Sequence, residues 1–369
     1  MIILSGFIPF FGALLSFMVP SQRWSKRICL ACSCAAFLGW VFSPETGGYA
    51  QFSLLMMGMT SVVFPLVMVF CWQIPIPKSN QFWGWFLCLQ ANLLMFFSQK
   101  NFFVFFVSWE LTLVPILFLM AKWGGKDRYN ALFKYVLTAL IIGLLLLLLF
   151  VPTLFSIRYG AVVTFLLILP FLIKTPVFPL NFWQLPLYLN APIPLLMVAA
   201  SVMSKMGLFG VYHYFELIQF ASLVSLQGLC EPVIYALIVS AGIALCLALV
   251  QKRFMSYIAY ISMAHLTLFL IGFFVRDALG IQASVFLAVG HTLSSLGLVG
   301  VAVIVERSLG NNWHVFKGIR EGNPFLNMCF IVFSLCNMAF PMTYALQGRC
   351  SCIGLCGRVC QGFLQGLFF

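Results

Sequence analysis

Twelve apolar runs follow one another along this chain with only a few polar residues between them, and that pattern leaves few folds open. Spans are expected near residues 2–19, 28–43, 54–72, 82–98, 102–121, 130–151, 161–177, 193–214, 231–250, 254–275, 281–305 and 325–346. A helix needs about 20 apolar residues to cross a bilayer, and most of these runs approach that length. Composition agrees: 63% of the 369 residues are hydrophobic and 8% are charged, where soluble domains carry about 25% charged residues. The polar gaps are too short for a soluble domain. The expected fold is an all-α, polytopic transmembrane protein of about 12–13 helices.

The net charge of +12 comes from 20 Lys and Arg against 8 Asp and Glu. These cations sit singly or in short clusters between apolar runs, which reads as topology signal and not as a nucleic-acid surface. Arg23, Lys26 and Arg27 follow the first span, Lys78 the third, and Lys122, Lys126 and Arg128 the fifth. The intervening loops hold only Glu45 and Lys100. By the positive-inside rule the odd loops face the matrix or cytoplasm and the N-terminus faces the other side. The opening MIILSGFIPFFGALLSF lacks a basic n-region and a cleavage site, so it reads as the first span.

Most of the 13 cysteines lie in apolar stretches, where Cys acts as a small apolar residue. Cys350, Cys352, Cys356 and Cys360 lack the paired spacing of zinc sites, so no metal site is expected there. A dinucleotide fingerprint, a P-loop and an iron–sulfur cysteine run ahead of the tail are all missing. No cofactor is expected in this chain.

The ionisable residues inside the spans stand out. Glu110 lies about eight residues from one end of its run, roughly 12 Å deep. Lys205 lies near the middle of its run, where a lysine costs about 2.5–3.5 kcal/mol. Ala200, Ser201, Ser204 and Gly207 surround it in sequence, permitting close helix approach and offering hydroxyls. Burial disfavours the charged form of both groups, which suits them to exchanging protons near neutral pH. A static buried ion pair is the competing reading.

His265 and His291 each sit inside an apolar run, and imidazole carries a proton near pH 7. A core histidine bonded to one neighbour is an equal reading of either. Arg276 with Asp277 and Glu306 with Arg307 read as span-end pairs, and His213 and His314 as interfacial residues.

Residues 161–192 carry Pro170, Pro176, Pro179, Pro186 and Pro192, too many for one regular helix. Two readings stand level: a helix broken inside the membrane, as at transporter ion sites, or a span, a surface loop and a new span. Lys174, just before Pro176, reads on spacing alone as a residue that snorkels to the interface.

The stretch FFVSWELTLVPILFLMAKWGGKDRYNALFKYVLT closely resembles the fifth and sixth helices of the antiporter-like membrane subunits of complex I, best the subunit-4 type. FLIKTPVFPL resembles the family's V-K-x-P segment, and NAPIPLLMVAASVMSKMGLFG resembles E-A-P…L-L-K-x-G-G-Y-G. AYISMAHLTLFLIG is similar to A-Y-S-S-x-S-H-M…L-G, and SLCNMAFPMT to S-L-A-N-M-x-x-P-G-T. The resemblance runs from about residue 80 to 348.

The resemblance implies a polar axis along the membrane. Glu110, Lys174, Lys205, His265 and His291 fall on the family's relay positions, Lys174 now as a relay member. The spacings agree: 31 residues between the lysines (205 − 174) and 26 between the histidines (291 − 265).

Departures are visible too. Two family histidines fall on Asn181 and Tyr188. Lys252 lies thirteen residues before His265 (265 − 252), where the family lysine lies ten before. The family's terminal acid falls on Arg349, which cannot release a proton at ordinary pH.

The implied organisation is N-terminal helices over 1–80, a first antiporter-like bundle over 81–214 and a second, apparently truncated and inverted, over 231–348. Residues 349–369 form a Cys- and Gly-rich tail. The implied activity is proton translocation in NADH:ubiquinone oxidoreductase. NADH, FMN, iron–sulfur clusters and ubiquinone would be held by partner subunits. Implied partners are neighbouring antiporter-like subunits and lipids.

Two alternatives remain: a cation/proton antiporter subunit, or a non-pumping structural subunit of the same arm. The bias to Phe, Cys, Leu, Gly and Val, with shortening at both ends, points to an organelle-encoded chain. The expected location is the mitochondrial inner membrane, with a bacterial plasma membrane as the alternative.

Overall fold

A computed structural model of the chain describes residues 2–42, 51–148, 161–221, 227–275, 278–309 and 323–337. Arg276, Asp277, His314, Arg349 and the tail cysteines lie outside the described residues. Those described are helical, with short turns between: α1 (Ile2–Met18), α2 (Gln22–Val41), α3 (Gln51–Phe70), α4 (Ser79–Ser98), α5 (Phe102–Leu111), α6 (Leu113–Trp123), α7 (Arg128–Leu148) and α8 (Ala161–Lys174). There follow α9 (Gln184–Asn190), α10 (Ile193–Ser201), a 3₁₀ turn (Met203–Lys205), α11 (Met206–Ala221), α12 (Gln227–Leu249), α13 (Phe254–Phe274), α14 (Ala278–Leu309) and α15 (Pro324–Asn337).

Every expected span contains helix. Seven helical stretches among the described residues are long and apolar enough to cross a membrane: Phe52–Phe70, Phe102–Trp123, Arg128–Leu148, Ile193–His213, Cys230–Leu249, Phe254–Phe274 and Leu279–Arg307. The protein is an all-α, multi-pass membrane protein.

The chain forms two compact units, Met1–Gly143 with Pro186–Met203, and Leu144–Leu185 with Ser204–Phe369. The first is organised by α4, which packs against α1, α2, α3, α5 and α6. Lipid removes the hydrophobic drive between helices, so close contact and ring packing must hold them together. Gly84 lets the Phe17 ring lie on α4, and Gly12 lets α1 approach Cys32 and Leu87. Phe96 meets Phe105 and Trp109 at 4.8 and 5.5 Å between centroids. The Trp85 and Phe118 rings stack at 4.1 Å.

The WGGKDR loop closes on Asn190. Gly125 N–H donates to the Asn190 carbonyl at 2.8 Å, and Asp127 N–H to its side-chain oxygen at 3.1 Å. A Cβ at Gly125 would stand 3.0 Å from that oxygen, so a larger residue there would have to push the Asn190 side chain aside.

In the second unit α13 is the centre, packed against α11, α12 and α14, while α14 also packs on α15. Gly297 of α14 receives the Phe333 ring of α15. Glu306, expected only as part of a span-end pair, accepts the Met255 N–H at 3.1 Å. It thereby caps the start of α13, where Arg253 supplies no side-chain cap. His213, expected at an interface, is buried and stacked on Phe209.

Two expected single spans are broken. The run 102–121 divides at Thr112 into α5 and α6. Pro115 has no N–H to offer the Leu111 carbonyl four residues earlier, and Asn92 Nδ2 of α4 donates to that carbonyl at 3.2 Å. The run 193–214 is interrupted by the 3₁₀ turn at Met203–Lys205. No proline lies there; Ser201 bonds back to the Met197 carbonyl at 2.6 Å, a local competitor of the helix ladder.

Candidate functional site

In the first unit Glu110 occupies the last turn of α5, directly before the break at Thr112. Its carboxyl lies against α7 at Gly143, where an added Cβ would stand 2.9 Å from Oε1 and 3.2 Å from Cδ. The bare glycine is therefore what gives this carboxyl its room. Asn92 holds the backbone one residue further on, so the turn carrying Glu110 is fixed from a neighbouring helix.

In the second unit α8 stops at Lys174 because Pro176 follows. The Leu172 carbonyl, deprived of a donor by Pro176, takes the Val177 N–H at 3.5 Å, and Thr175 N–H reaches the Phe171 carbonyl at 2.8 Å. Of the two readings of this segment, the broken helix fits: residues 171–177 are buried. Trp183 returns over the break, its indole N–H donating to the Ile173 carbonyl at 3.0 Å. Its ring centre lies 5.7 Å from Lys174 Nζ, a cation–π arrangement. Ser240 of α12 accepts the Phe178 N–H at 2.8 Å. These bonds meet the requirement that irregular backbone at membrane depth be buried in protein.

α11 is drawn against this break. A side chain at Gly207 would collide with Thr175 Oγ1 and come 2.7 Å from Thr175 N, and one at Gly210 would enter the Phe171 ring.

Lys205 closes the 3₁₀ turn and is fully buried, 0% exposed. Its Nζ lies 3.1 Å from Ser204 Oγ and 2.8 Å from Nδ1 of His291 on α14. The other ring nitrogen of His291, Nε2, lies 3.2 Å from Ser262 Oγ on α13. The His265 ring, one turn along α13 from Ser262, meets the His291 ring edge-to-face at 5.6 Å between centroids. Phe269 closes the same side, its ring centre 5.6 Å from that of His291. Lys205, His265 and His291, distant in sequence, thus share one buried polar cluster. Ammonium donors, an imidazole that both donates and accepts, and a hydroxyl form a continuous series of proton-exchanging atoms.

Sequence reasoning passed over Ser262, Gly143 and Asn92. Ser262 was detectable, since it lies three residues before His265 and so on the same helix face. Asn92 and Gly143 carry no signal of their own, because their partners come from other helices.

A family model described as "NADH:quinone oxidoreductase/Mrp antiporter, TM" matches residues 99–368. The chain belongs to this family. Among relatives within the NADH:quinone oxidoreductase/Mrp antiporter family, the NADH-ubiquinone oxidoreductase chain 4 of Ceratitis capitata is 31% identical over 75% of this chain and 65% of its own length. The F(420)H(2) dehydrogenase subunit M of Methanosarcina mazei is 27% identical over 83% of this chain and 66% of its own. The chain thus spans about two thirds or slightly less of these curated relatives. A chain of respiratory complex I from Thermus thermophilus has the same fold, with a TM-score of 0.82 at 21% identity, covering 97% of this chain and 83% of that one. A chain of the membrane-bound sulfane sulfur reductase, an archaeal respiratory membrane complex, matches at 0.82 and 19% identity, with 96% and 80% covered. All of this agrees with the resemblance read from the motifs.

Proposed function

We propose that this chain is a membrane-arm subunit of an NADH:ubiquinone oxidoreductase and translocates protons through Glu110, Lys174, Lys205, His265 and His291. Electron transfer from NADH to quinone takes place in partner subunits that hold the redox cofactors. Neighbouring antiporter-like subunits flank the chain in the mitochondrial inner membrane, and the stretches 81–214 and 231–348 act as its two helix bundles.

One observation carries this reading: the amine of Lys205, without solvent exposure, lies 2.8 Å from a ring nitrogen of His291 on another helix. An intramembrane lysine costs about 2.5–3.5 kcal/mol at a helix centre and marks an ion or proton pathway by default. An apolar residue there would pack without that cost. Proton exchange between an amine and an imidazole in contact needs no movement of backbone.

The test is proton pumping against NADH:quinone electron transfer in reconstituted complex carrying Lys205→Met or Glu110→Gln. Loss of pumping and of coupled turnover in an assembled complex is expected. Pumping at the unmodified level would leave a scaffold that keeps these residues without using them.

The matched family also takes in Mrp antiporters, which favours a second reading as a cation/proton exchanger subunit. Purification of the chain with a redox-active assembly decides against that reading, and sodium-driven proton movement without electron transfer decides for it.

A further inference from the structure

We propose that Ser262 positions His291 in the relay: its hydroxyl oxygen accepts from Nε2–H and so fixes the tautomer that leaves Nδ1 ready to take a proton from Lys205. This rests on the proton-translocating reading above and names a residue that reading does not include.

The argument begins with the two sides of one ring. Nδ1 of His291 faces Lys205 Nζ at 2.8 Å and Nε2 faces Ser262 Oγ at 3.2 Å. All three side chains are buried, at 0%, 4% and 3% exposure for Lys205, His291 and Ser262. An ammonium has donors only, so a protonated Lys205 requires Nδ1 as acceptor. A neutral imidazole carries a single proton, which must then sit on Nε2 and point at the Ser262 oxygen. The hydroxyl oxygen thus selects the tautomer that leaves Nδ1 ready.

The transfer follows from that arrangement. Lys205 breaks one N–H bond and Nδ1 forms one, leaving a neutral amine and an imidazolium that donates from both nitrogens. Ser262 stays neutral, its oxygen accepting from Nε2–H before and after the transfer, and the net change is one proton moved from Lys205 to His291. His265 lies one helical turn from Ser262, and its ring stands 5.6 Å from that of His291, edge-to-face. Without an acceptor at Nε2 the neutral ring could carry its proton on Nδ1 instead, where it would oppose an ammonium at Lys205.

The groups packed around the ring are of three kinds. The 3₁₀ turn ahead of α11 contributes Lys205 and Ser204. α13 contributes Ser262, His265 and Phe269. α14 contributes the backbone of His291 itself, with Ser294 Oγ 3.4 Å from the His291 carbonyl and 3.3 Å from Asn337 Oδ1 of α15. Ser262 is the hydroxyl that reaches Nε2.

The experiment uses the whole complex reconstituted in vesicles, with NADH-driven acidification read by a pH dye and assembly read on native gels. Ser262→Ala is expected to lower protons moved per electron about tenfold, within the roughly hundredfold that misplacing a positioned group can cost. Ser262→Thr, which keeps the hydroxyl, is expected to pump within about twofold of the unmodified complex, a rescue that a packing role would not show.

Ser262→Ala pumping like the unmodified complex overturns the proposal, and so does Ser262→Thr failing as badly as Ser262→Ala. If Ser262→Ala does not assemble, Ser262→Cys takes its place; with only a weak sulfur acceptor it is expected to pump poorly, and normal pumping overturns the assignment. Lys205→Met run in parallel separates the two levels. Normal pumping there sinks the relay as a whole, whereas loss in Lys205→Met with normal pumping in Ser262→Ala sinks only the role of Ser262.

Discussion

Of the breaks in the described helices, those at Thr112 and at Met203–Lys205 have opposite causes. The α5–α6 break is written locally. Pro115 withholds a donor from the Leu111 carbonyl, and one amide from α4, Asn92, makes good the loss. The interruption at Met203–Lys205 contains no proline, and its local contribution is a single serine back-bond. What surrounds it is tertiary: Gly207 pressed on the end of α8, and Lys205 bonded to Ser204 and His291.

The first break presents a carboxyl at its edge, Glu110, beside a glycine. The second presents an amine inside a polar cluster. A proline break needs one acceptor satisfied and is then finished, whereas a break held by packing depends on every helix around it.

The comparison is put under most strain by Gly207→Leu. Overpacking a close helix contact costs about 1–3 kcal/mol and occasionally more, and here the intruding atoms meet backbone as well as Thr175. Loss of assembled complex on native gels is expected. Gly242→Ala is the matched control, because a Cβ there meets nothing within 4 Å; it should be neutral or slightly stabilising. Equal effects from the two substitutions would deny that packing holds the second break.

Asn92→Leu strands the Leu111 carbonyl and should cost about 1–3 kcal/mol, seen as a lower melting temperature of the complex. Pro115→Ala restores a backbone donor to that carbonyl, so Asn92→Leu should cost less in its presence. A cost unchanged by Pro115→Ala would separate the asparagine from the proline.

Gly143→Ala is milder. Its Cβ meets the far end of the flexible Glu110 side chain, so the fold should stand while the carboxyl moves. Misplacing a positioned group by an ångström can cost up to about a hundredfold, and a drop of about tenfold in pumping is expected from this smaller push. Glu110→Asp in the same background, one methylene shorter, should recover part of it.

The smallest effect is Ser201→Ala, which removes the local back-bond near the second break. A change within about 0.5 kcal/mol is expected, with Lys205→Met still abolishing pumping in the same background. A large loss of stability would show that the second break, like the first, is made locally.

Much of this was legible in order. Spans, prolines and intramembrane charges are properties of short stretches, so Glu110, Lys205, His265 and His291 could be singled out before any contact was known. Lys174 shows the limit. On spacing it read as an interfacial lysine, and only the motif around it suggested otherwise. In the fold it is 5% exposed with its amine over Trp183, nine residues away in sequence (183 − 174) and brought back by the turn. Residues 161–192 were balanced between a buried break and a surface loop because proline count fixes where a helix ends and says nothing of what then covers the backbone. Trp183 and Ser240 provide that cover.

By itself the sequence determined that this chain is helical and lies in a membrane, because lipid cannot hydrogen-bond a backbone and twelve apolar runs need an inner solution to that problem. It marked the end of α8 before Pro176, because a missing N–H acts within four residues, whereas the run 102–121 read as one span and the fold divides it at Thr112. Only the tertiary structure decided that Lys205 faces His291 across 86 residues of chain, that Ser262 stands at the far nitrogen of that ring, and that Gly143 leaves room for Glu110. Those facts depend on which face of each helix meets its neighbour. In lipid that choice is made by the fit of small residues and polar pairs over whole helices, and no single stretch of sequence carries it.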